Sequence, residues 1–174
     1  MKILAYIREW VIIILIAAAI AITLTIFVFD TRIVPTGSMR TTIIENDRMI
    51  NYKLAYISSP PQRGDIIVFE PPPELNESDD LLKRIIGLPG ETVEIKNGGV
   101  YINDELLDEP YLQSKPTYTF AKIGIPEGYY FVLGDNRNSS FDSHAWLNPY
   151  VPAENIKGKI VFRYWPLSRF GTVQ

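Results

Sequence analysis

The chain has 174 residues, with 17 Lys and Arg against 20 Asp and Glu and a formal net charge of −3. This balance lacks the large basic excess that is typical of nucleic-acid-binding proteins. Because the chain has no Cys and one His, thiol nucleophiles, disulfide frameworks and zinc sites built on several His are excluded. A Ser–His–Asp triad could be built only around His144. The length allows one membrane segment plus a modest domain, or one domain without an anchor.

One apolar segment, residues 11–29, lies near the N-terminus. It reads VIIILIAAAIAITLTIFVF, 19 residues without a charge. At about 1.5 Å per residue, such a helix spans roughly 30 Å, the thickness of the hydrocarbon core of a bilayer. A cleavable signal peptide usually has a shorter apolar stretch that ends in small residues. Here the alanines lie mid-span and the stretch ends in Phe27-Val28-Phe29, which favours a retained membrane anchor over a cleaved signal or a buried core helix.

The predicted organisation has three parts: a short N-terminus (1–10), the anchor (11–29) and a β-rich domain (30–174). The charges that flank the anchor do not decide its orientation. Two basic residues precede it and three follow within about 20 residues; they are Lys2, Arg8, Arg32, Arg40 and Arg48.

Beyond the anchor, the pattern changes to short apolar runs rich in Ile, Val, Tyr and Phe, which is typical of β-strands. The predicted strands are Arg48–Asn51, Asp65–Phe69, Leu82–Ile86, Thr92–Ile95, Val100–Ile102, Tyr129–Leu133 and Ile160–Tyr164. Asn97-Gly98-Gly99 indicates a hairpin turn. Glu70–Asp80, which is Pro-rich and acidic, and Tyr111–Lys122 are predicted loops, and no chemistry is assigned to the first of them. The fold class is therefore mostly β, with a single N-terminal transmembrane helix followed by an all-β domain.

The segment PTGSM, at 35–39, could carry a nucleophile. Gly37 permits a tight turn beside Ser38 and close approach of a substrate. Ser in a Pro/Gly loop is usually only a turn residue, so this motif alone is weak evidence. Ser38 lies eight residues beyond Asp30, which at about 3.5 Å per residue keeps it within roughly 30 Å of the membrane face. A nucleophile there would act on membrane-proximal chains.

A serine hydroxyl needs a base, and with a single imidazole in the chain the alternatives are a carboxylate or a lysine. The run LLKRII, at 81–86, predicts a strand in which Lys83 and Arg84 face opposite ways. A Lys on the apolar side would be desolvated, which lowers its pKa toward what a general base needs. The alternative is an edge-strand Lys that points to water. The run GDNRNSSFDS, at 134–143, indicates either a hydrogen-bonded turn or a polar shell that orients such a base.

Five separated segments, in this order, resemble those of the type I signal peptidases in their short bacterial form. They are PTGSM at 35–39, RGDIIVF at 63–69, KRIIGLPGE at 83–91, GDNRNSSFDS at 134–143 and RYWPLSRFG at 163–171. The resemblance runs from the anchor to Phe170, and five such segments in order are far more specific than one.

The resemblance implies roles for individual residues. Ser38 would be the nucleophile and Lys83 the general base, with Ser140 hydrogen-bonded to Lys83 to orient it. The Thr36 hydroxyl would join the Ser38 backbone N–H in an oxyanion hole. The walls of shallow apolar pockets, which accept the small residues of the Ala-x-Ala pattern in signal peptides, would be Val34, Met39 and Leu82. A structural polar framework near the site would consist of Arg84, Asp135, Arg137 and Asp142.

The resemblance also implies the surroundings of the protein. The partners would be secretory preproteins, bound in extended form along a strand edge, and membrane lipid. It implies no metal, no organic cofactor, no nucleic acid and a monomeric state. The N-terminus would be cytoplasmic and the β-domain would lie outside the plasma membrane. Trp165 and Phe170 would either lie near the lipid surface or pack in the core.

Two positions depart from the pattern of the family. Thr41 stands where Pro is usual, and His144 stands where Arg is common, which leaves the partner of Asp142 open. Neither departure changes Ser38, Lys83 or Ser140.

Two other functions are alternatives to that of an active endopeptidase. Self-cleaving repressors use the same Ser–Lys chemistry, but they lack an anchor before the nucleophile and carry a DNA-binding module, and neither feature suits this chain. A membrane-tethered interaction domain, such as a decayed homologue, would be supported by loss of Ser38 or Lys83, and both are present.

Overall fold

The computed structural model describes residues 2–173 and begins with one long helix. This helix, α1 (Lys2–Thr23), continues as a short π-helix (Leu24–Val28) and leads directly into strand β1. The stretch Tyr6–Val28 is not buried, and it is long and apolar enough to cross a membrane. It starts earlier than the predicted anchor, and Phe29 begins β1 rather than ending the anchor. The predicted outer boundaries at residues 1 and 174 lie outside the described residues.

The rest of the described chain is mostly antiparallel strands, as the sequence predicts. In chain order the strands are β1 (Phe29–Ile33), β2 (Arg48–Tyr52), β3 (Ile66–Phe69), β4 (Leu81–Gly87), β5 (Thr92–Lys96), β6 (Gly99–Ile102), β7 (Glu105–Leu106), β8 (Phe120–Gly124), β9 (Tyr129–Leu133), β10 (Val151–Pro152), β11 (Ile156–Trp165) and β12 (Gly171–Thr172). In the described part of the chain, the helices between these strands are single turns of 3-10 helix.

The strands form two sheets. The larger has the order β1-β2-β11-β3-β4-β9-β10, with β12 paired to β11, and the smaller has the order β7-β6-β5-β8. The predicted hairpin joins β5 to β6. Asn97 and Gly98 have φ values of 51° and 74°, and a two-residue type I′ turn needs positive φ at both positions.

All seven predicted strands are present, and β11 is longer than predicted. Strand β8, which begins inside the predicted loop Tyr111–Lys122, was not predicted from the sequence. Neither were β1 and the two-residue strands. Because β1 and β8 lie at sheet edges and are half exposed, their residues show little hydrophobic alternation.

Three apolar clusters form the core, and one of them positions the functional site. Two of them pack on the central strands β4 and β9. The third fastens the turn after β1 to the larger sheet, and its members are Val34, Met39, Ile43, Met49, Ile66, Val68 and Ile160. Each is at most 5% exposed, and burial of one such side chain contributes about 1.5–3 kcal/mol.

Candidate active site

Residues 34–47 form the loop between β1 and β2 that carries Ser38, here called the Ser38 loop. Two hydrogen bonds close its neck, from Val34 N to Asp47 O (3.0 Å) and from Asn46 N to Val34 O (2.9 Å). The side chains of Val34 and Met39 are buried beneath the loop, while Ser38 is partly exposed. The apolar neighbours of Ser38 therefore hold it at the surface of the larger sheet.

Lys83 reaches Ser38 from β4. Its Nζ donates a hydrogen bond of 2.7 Å to Ser38 Oγ, and the residue is 4% exposed. Burial disfavours the charged form and lowers the pKa of Lys83 to about 8, against the opposing attraction of Asp142 and Asp135. A lysine with this pKa has an appreciable neutral fraction near neutral pH, as a general base needs. Of the two alternatives for Lys83, burial and a position at an edge facing water, the structure shows burial, and Arg84, next to it on β4, is buried as well.

Two hydrogen-bond donors flank the Ser38 hydroxyl. The Thr36 hydroxyl lies 3.5 Å from Ser38 Oγ on an exposed residue. The backbone N–H of Ser38 donates to no other group among residues 2–173. Both donors are thus available to a negative oxygen that develops beside Ser38 Oγ.

Ser140 is buried, but the expected hydrogen bond to Lys83 is not formed. Its Oγ has no partner within the described chain, and Lys83 Nζ bonds to Ser38 instead. Gly134 shows how closely the site is packed, because a Cβ on Gly134 would collide with both Ser140 Oγ and the Ser38 carbonyl oxygen. Ser140 therefore lies near the Ser38 loop, and its role toward Lys83 stays a prediction.

Three of the residues expected in the polar framework take part in two buried ion pairs. Arg84 donates through Nε and Nη2 to Asp135 (2.8 and 2.7 Å), which also accepts a hydrogen bond from Thr42 of the Ser38 loop. Arg137 donates through Nη1 and Nη2 to Glu109 (2.8 and 2.6 Å). Bidentate pairs of this kind are among the stronger hydrogen-bonded contacts and fix geometry. They hold β4, the segment after β9 and the Ser38 loop together.

The fourth framework residue, Asp142, is fully buried and has His144 as its partner. The His144 Nδ1 lies 2.6 Å from one carboxylate oxygen, and Gly134 N donates to the other at 2.9 Å. The imidazole stacks on Tyr118 with 3.8 Å between ring centroids. His144 thus takes the place beside Asp142 where the family commonly has Arg.

Three residues that hold the Ser38 loop were not predicted from the sequence. Asn136 donates its Nδ2 to Gly37 O and its backbone N–H to Ser38 O, both at 3.0 Å. Arg163 and Arg169 bind another part of the loop. All three lie in segments that carry the resemblance, but their partners in the loop are 98 or more residues away in the chain, so local patterns gave no signal of the contacts.

Two clefts share the Ser38–Lys83 pair. The first, of about 270 Å³, is mainly apolar, and its walls include the three predicted pocket residues Val34, Met39 and Leu82. The second, of about 470 Å³, is more polar. The acidic segment predicted as a plain loop contributes Glu77 to both clefts, so it borders the site rather than lying apart from it.

Comparison with known proteins gives consistent matches. The family model described as signal peptidase, peptidase S26, matches residues 7–165. Signal peptidase I of Leptolyngbya laminosa is 48% identical over 152 residues, which cover 83% of this chain and 73% of that protein. Probable signal peptidase I-1 of Synechocystis sp. is 42% identical over 171 residues, which cover 95% of this chain and 86% of that protein. Signal peptidase I of Bacillus caldolyticus is 39% identical over 159 residues, which cover 83% and 84%.

A solved structure also matches, the crystal structure of a signal peptidase I from Enterococcus faecalis V583. The match has a TM-score of 0.49 and 38% identity, and covers 57% of this chain and 95% of that chain. The family model covers nearly the whole chain, and the identities above are well beyond what a shared fold alone would give. This chain therefore belongs to the signal peptidase I enzymes of peptidase family S26.

Proposed function

We propose that the protein is a membrane-anchored serine endopeptidase that removes N-terminal signal peptides from exported preproteins at Ala-x-Ala sites. Ser38 is the nucleophile and Lys83 the general base. The observation that best supports this proposal is the 2.7 Å contact between the buried Lys83 amine and the Ser38 hydroxyl. The names of the relatives support the substrate class.

Acylation begins with neutral Lys83 accepting a hydrogen bond from the Ser38 hydroxyl. As Ser38 Oγ attacks the scissile carbonyl carbon, its proton passes to Lys83 Nζ and the carbonyl oxygen becomes an anion. The Ser38 N–H and the Thr36 hydroxyl stabilise this anion, and removal of one such donor typically costs about 2.7–4 kcal/mol. Lys83 then gives its proton to the leaving amine as the C–N bond breaks, which leaves an ester on Ser38.

Deacylation uses the same two residues, with water as the nucleophile and Ser38 Oγ as the leaving group. A water molecule attacks the ester carbonyl while Lys83 accepts one of its protons. When the bond from the carbonyl carbon to Ser38 Oγ breaks, Lys83 returns its proton to Ser38, and the signal peptide leaves with a new C-terminal carboxyl group, which loses the second proton of the water to solvent. We assign the orientation of Lys83 during these transfers to Ser140, because its buried hydroxyl has no other partner within the described residues.

The substrate lies extended beside β4. Residues 81–83 pair with β3 on one side, and pairing with β9 begins only at Arg84, so among the described strands the other edge of this stretch is unpaired. An added strand would present alternate side chains to the same face. The first and third residues before the cut would then enter the apolar cleft lined by Val34, Met39 and Leu82.

The β-domain is held close to the end of the apolar helix. Lys53, directly after β2, donates from Nζ to Ile26 O (2.6 Å) and from its backbone N to Val28 O (2.9 Å). Trp165 and Phe170 are 49% and 61% exposed, so the alternative that they pack in the core is wrong. Exposed aromatic residues suit contact with a lipid surface. In this proposal the N-terminus is cytoplasmic and the site faces the outer surface of the plasma membrane.

Cleavage of a defined preprotein tests the proposal. We expect the full chain in detergent to cut once, after the last Ala of an Ala-x-Ala site, as read by mass spectrometry of both products. A matched preprotein with Leu at that last position should be cut roughly 100-fold more slowly, because the proposed specificity requires a small side chain there. A Ser38→Ala preparation serves as the blank for contaminating proteases. A folded protein that is inert on both substrates, or that cuts both equally, would support a tethered interaction domain or another peptidase specificity.

The rate should depend on pH through Lys83. Only the neutral amine of Lys83 accepts the proton, and the pKa of Lys83 is about 8. Below pH 8, kcat/KM should therefore rise about tenfold for each pH unit, and above pH 8 it should level off. The profile is measured from pH 6 to pH 10 with substrate far below KM. A flat profile over this range would remove Lys83 from the role of base.

A further inference from the structure

Two arginines near the end of the chain bind the Ser38 loop. Arg169 Nη1 donates to both carboxylate oxygens of Asp47 (3.1 and 3.0 Å), and its Nη2 donates to Thr42 O (3.1 Å) and Thr41 O (3.4 Å). Arg163 Nη1 donates to Thr42 O (2.9 Å), and its Nε donates to Arg169 O (2.6 Å). Both guanidinium groups thus bind Thr42 O and Asp47 Oδ2, the latter at 3.4 Å from Arg163 Nη1.

The carboxylate of Asp47 accepts hydrogen bonds from both arginines. Its side chain is fully buried, and its Oδ2 also accepts a hydrogen bond from Ile44 N (3.0 Å). The backbone carbonyl of Asp47 accepts the bond from Val34 N that closes the neck of the loop. A buried carboxylate without a cation is costly, so the arginines determine whether this end of the loop can stay in place.

The loop is held by two segments of the chain. The segment after β9 binds the carbonyls of Gly37 and Ser38 through Asn136 and the Thr42 hydroxyl through Asp135, whereas Arg163 and Arg169 bind the Thr42 carbonyl. Lys83 lies on β4 and belongs to neither set of contacts. The distance between Ser38 Oγ and Lys83 Nζ therefore depends on both segments holding the loop fixed relative to the sheet.

We propose that Arg163 and Arg169 are positioning residues for the peptidase reaction, which act through Asp47 and the Thr41 and Thr42 carbonyls to hold Ser38 at Lys83. This inference rests on the proposed function of the Ser38–Lys83 pair. A guanidinium is required because its planar fork serves a carboxylate and backbone carbonyls at once, which a lysine ammonium cannot do in the same geometry.

The test compares Arg169→Ala, Arg169→Lys and the control Arg48→Met in the full chain. Arg48 is exposed, lies on β2 opposite Trp165 and has no ion pair with another described residue. We expect Arg169→Ala to lower kcat on the order of 10- to 100-fold with KM within about threefold, because small misplacements of catalytic groups have costs of this size. Arg169→Lys should recover only part of the loss, and Arg48→Met should match the parent enzyme. Added methylguanidinium at millimolar concentration should raise kcat of Arg169→Ala by refilling the space of the lost group.

Hydrogen exchange gives a second readout that does not need activity. The Ile43 and Ile44 amides, which bond to Met39 O and Asp47 Oδ2, should exchange faster in Arg169→Ala, while those of β9 are unchanged. If the parent cleaves but Arg169→Ala keeps its kcat, the inference fails and the proposed function stands. If the parent is inert, the proposed function fails, and the exchange data alone decide whether the arginines hold the loop. If Arg169→Ala lost kcat and folded fraction to the same extent, and methylguanidinium did not restore kcat, Arg169 would only stabilise the fold and the inference would fail.

Discussion

Replacement of Lys83 by methionine should greatly slow cleavage and, at neutral pH, make the protein more stable. The cleavage rate should fall on the order of 10²- to 10⁴-fold, because the general base is lost while the shape of the side chain is kept. Stability should rise because Lys83 is 4% exposed and its charged form is poorly solvated there. A catalytic group that opposes folding is a local example of the trade-off between activity and stability.

The pH range of this stabilisation follows from the two pKa values of Lys83. The pKa is about 8 in the folded protein and 10.5 for an ordinary lysine, so between these values the unfolded chain binds more protons than the folded one. The stability of the parent therefore rises with pH through this range, and below pH 8 the full cost of burying the charge is present. That cost corresponds to roughly 3 kcal/mol. Lys83→Met loses the hydrogen bond to Ser38, so a net gain of about 1–3 kcal/mol at pH 7 is expected.

Urea unfolding of the full chain in detergent at pH 7 and pH 10 measures this effect. The gain of Lys83→Met over the parent should shrink at pH 10, where the parent no longer buries a charge. Lys122→Met is the matched control, because Lys122 is a half-exposed lysine that pairs with Asp104 on the smaller sheet. It should keep full activity and show no resolved change in stability. Loss of stability in Lys83→Met at pH 7 would show that the charged amine is well solvated in the folded protein.

The elements that the sequence alone predicted are those whose hydrophobic pattern or turn residues fit their place in the fold. The apolar helix, the strands around Lys83 and the Asn97-Gly98 turn follow from hydrophobic runs and from residues that adopt positive φ. The burial of Lys83 was one of two alternatives that strand alternation left open. The resemblance added the residues expected near the site, and the structure places Ser38, Lys83 and Thr36 together.

The missed features depend on contacts between distant parts of the chain. Asn136 lies 98 and 99 residues from the two carbonyls that it binds, and Arg169 lies 127 and 128 residues from its two, so local composition gives no signal of these contacts. The partner of Asp142 became clear only when His144 was seen beside it. Edge strands such as β8 form because a neighbour offers backbone partners, so their own residues predict them poorly.

Asp135→Asn should produce the largest loss of stability among the variants considered. Asp135 and Arg84 are 0% and 2% exposed at their side chains, and Asp135→Asn removes the buried carboxylate charge that accepts two hydrogen bonds from Arg84. We expect a loss of about 3–5 kcal/mol in the free energy of unfolding, out of a total that is commonly 5–15 kcal/mol. The same change at an exposed pair, Asp104→Asn opposite Lys122, is the control and should leave stability unchanged. A double variant, Arg84→Met with Asp135→Leu, should regain most of the loss, because both charges are then absent from the buried site.

The pH–rate profile of Asp135→Asn separates an electrostatic effect from a loosened structure. Asp135 favours the charged form of Lys83, so its removal should lower the pKa of Lys83 and move the midpoint of the profile below pH 8. If the variant instead opens the site to water, Lys83 is better solvated and the midpoint moves up toward the ordinary lysine value. A midpoint that does not move would mean that Asp135 serves the site only through Arg84 and Thr42, since the charge of Asp135 would then have no measurable effect on the base.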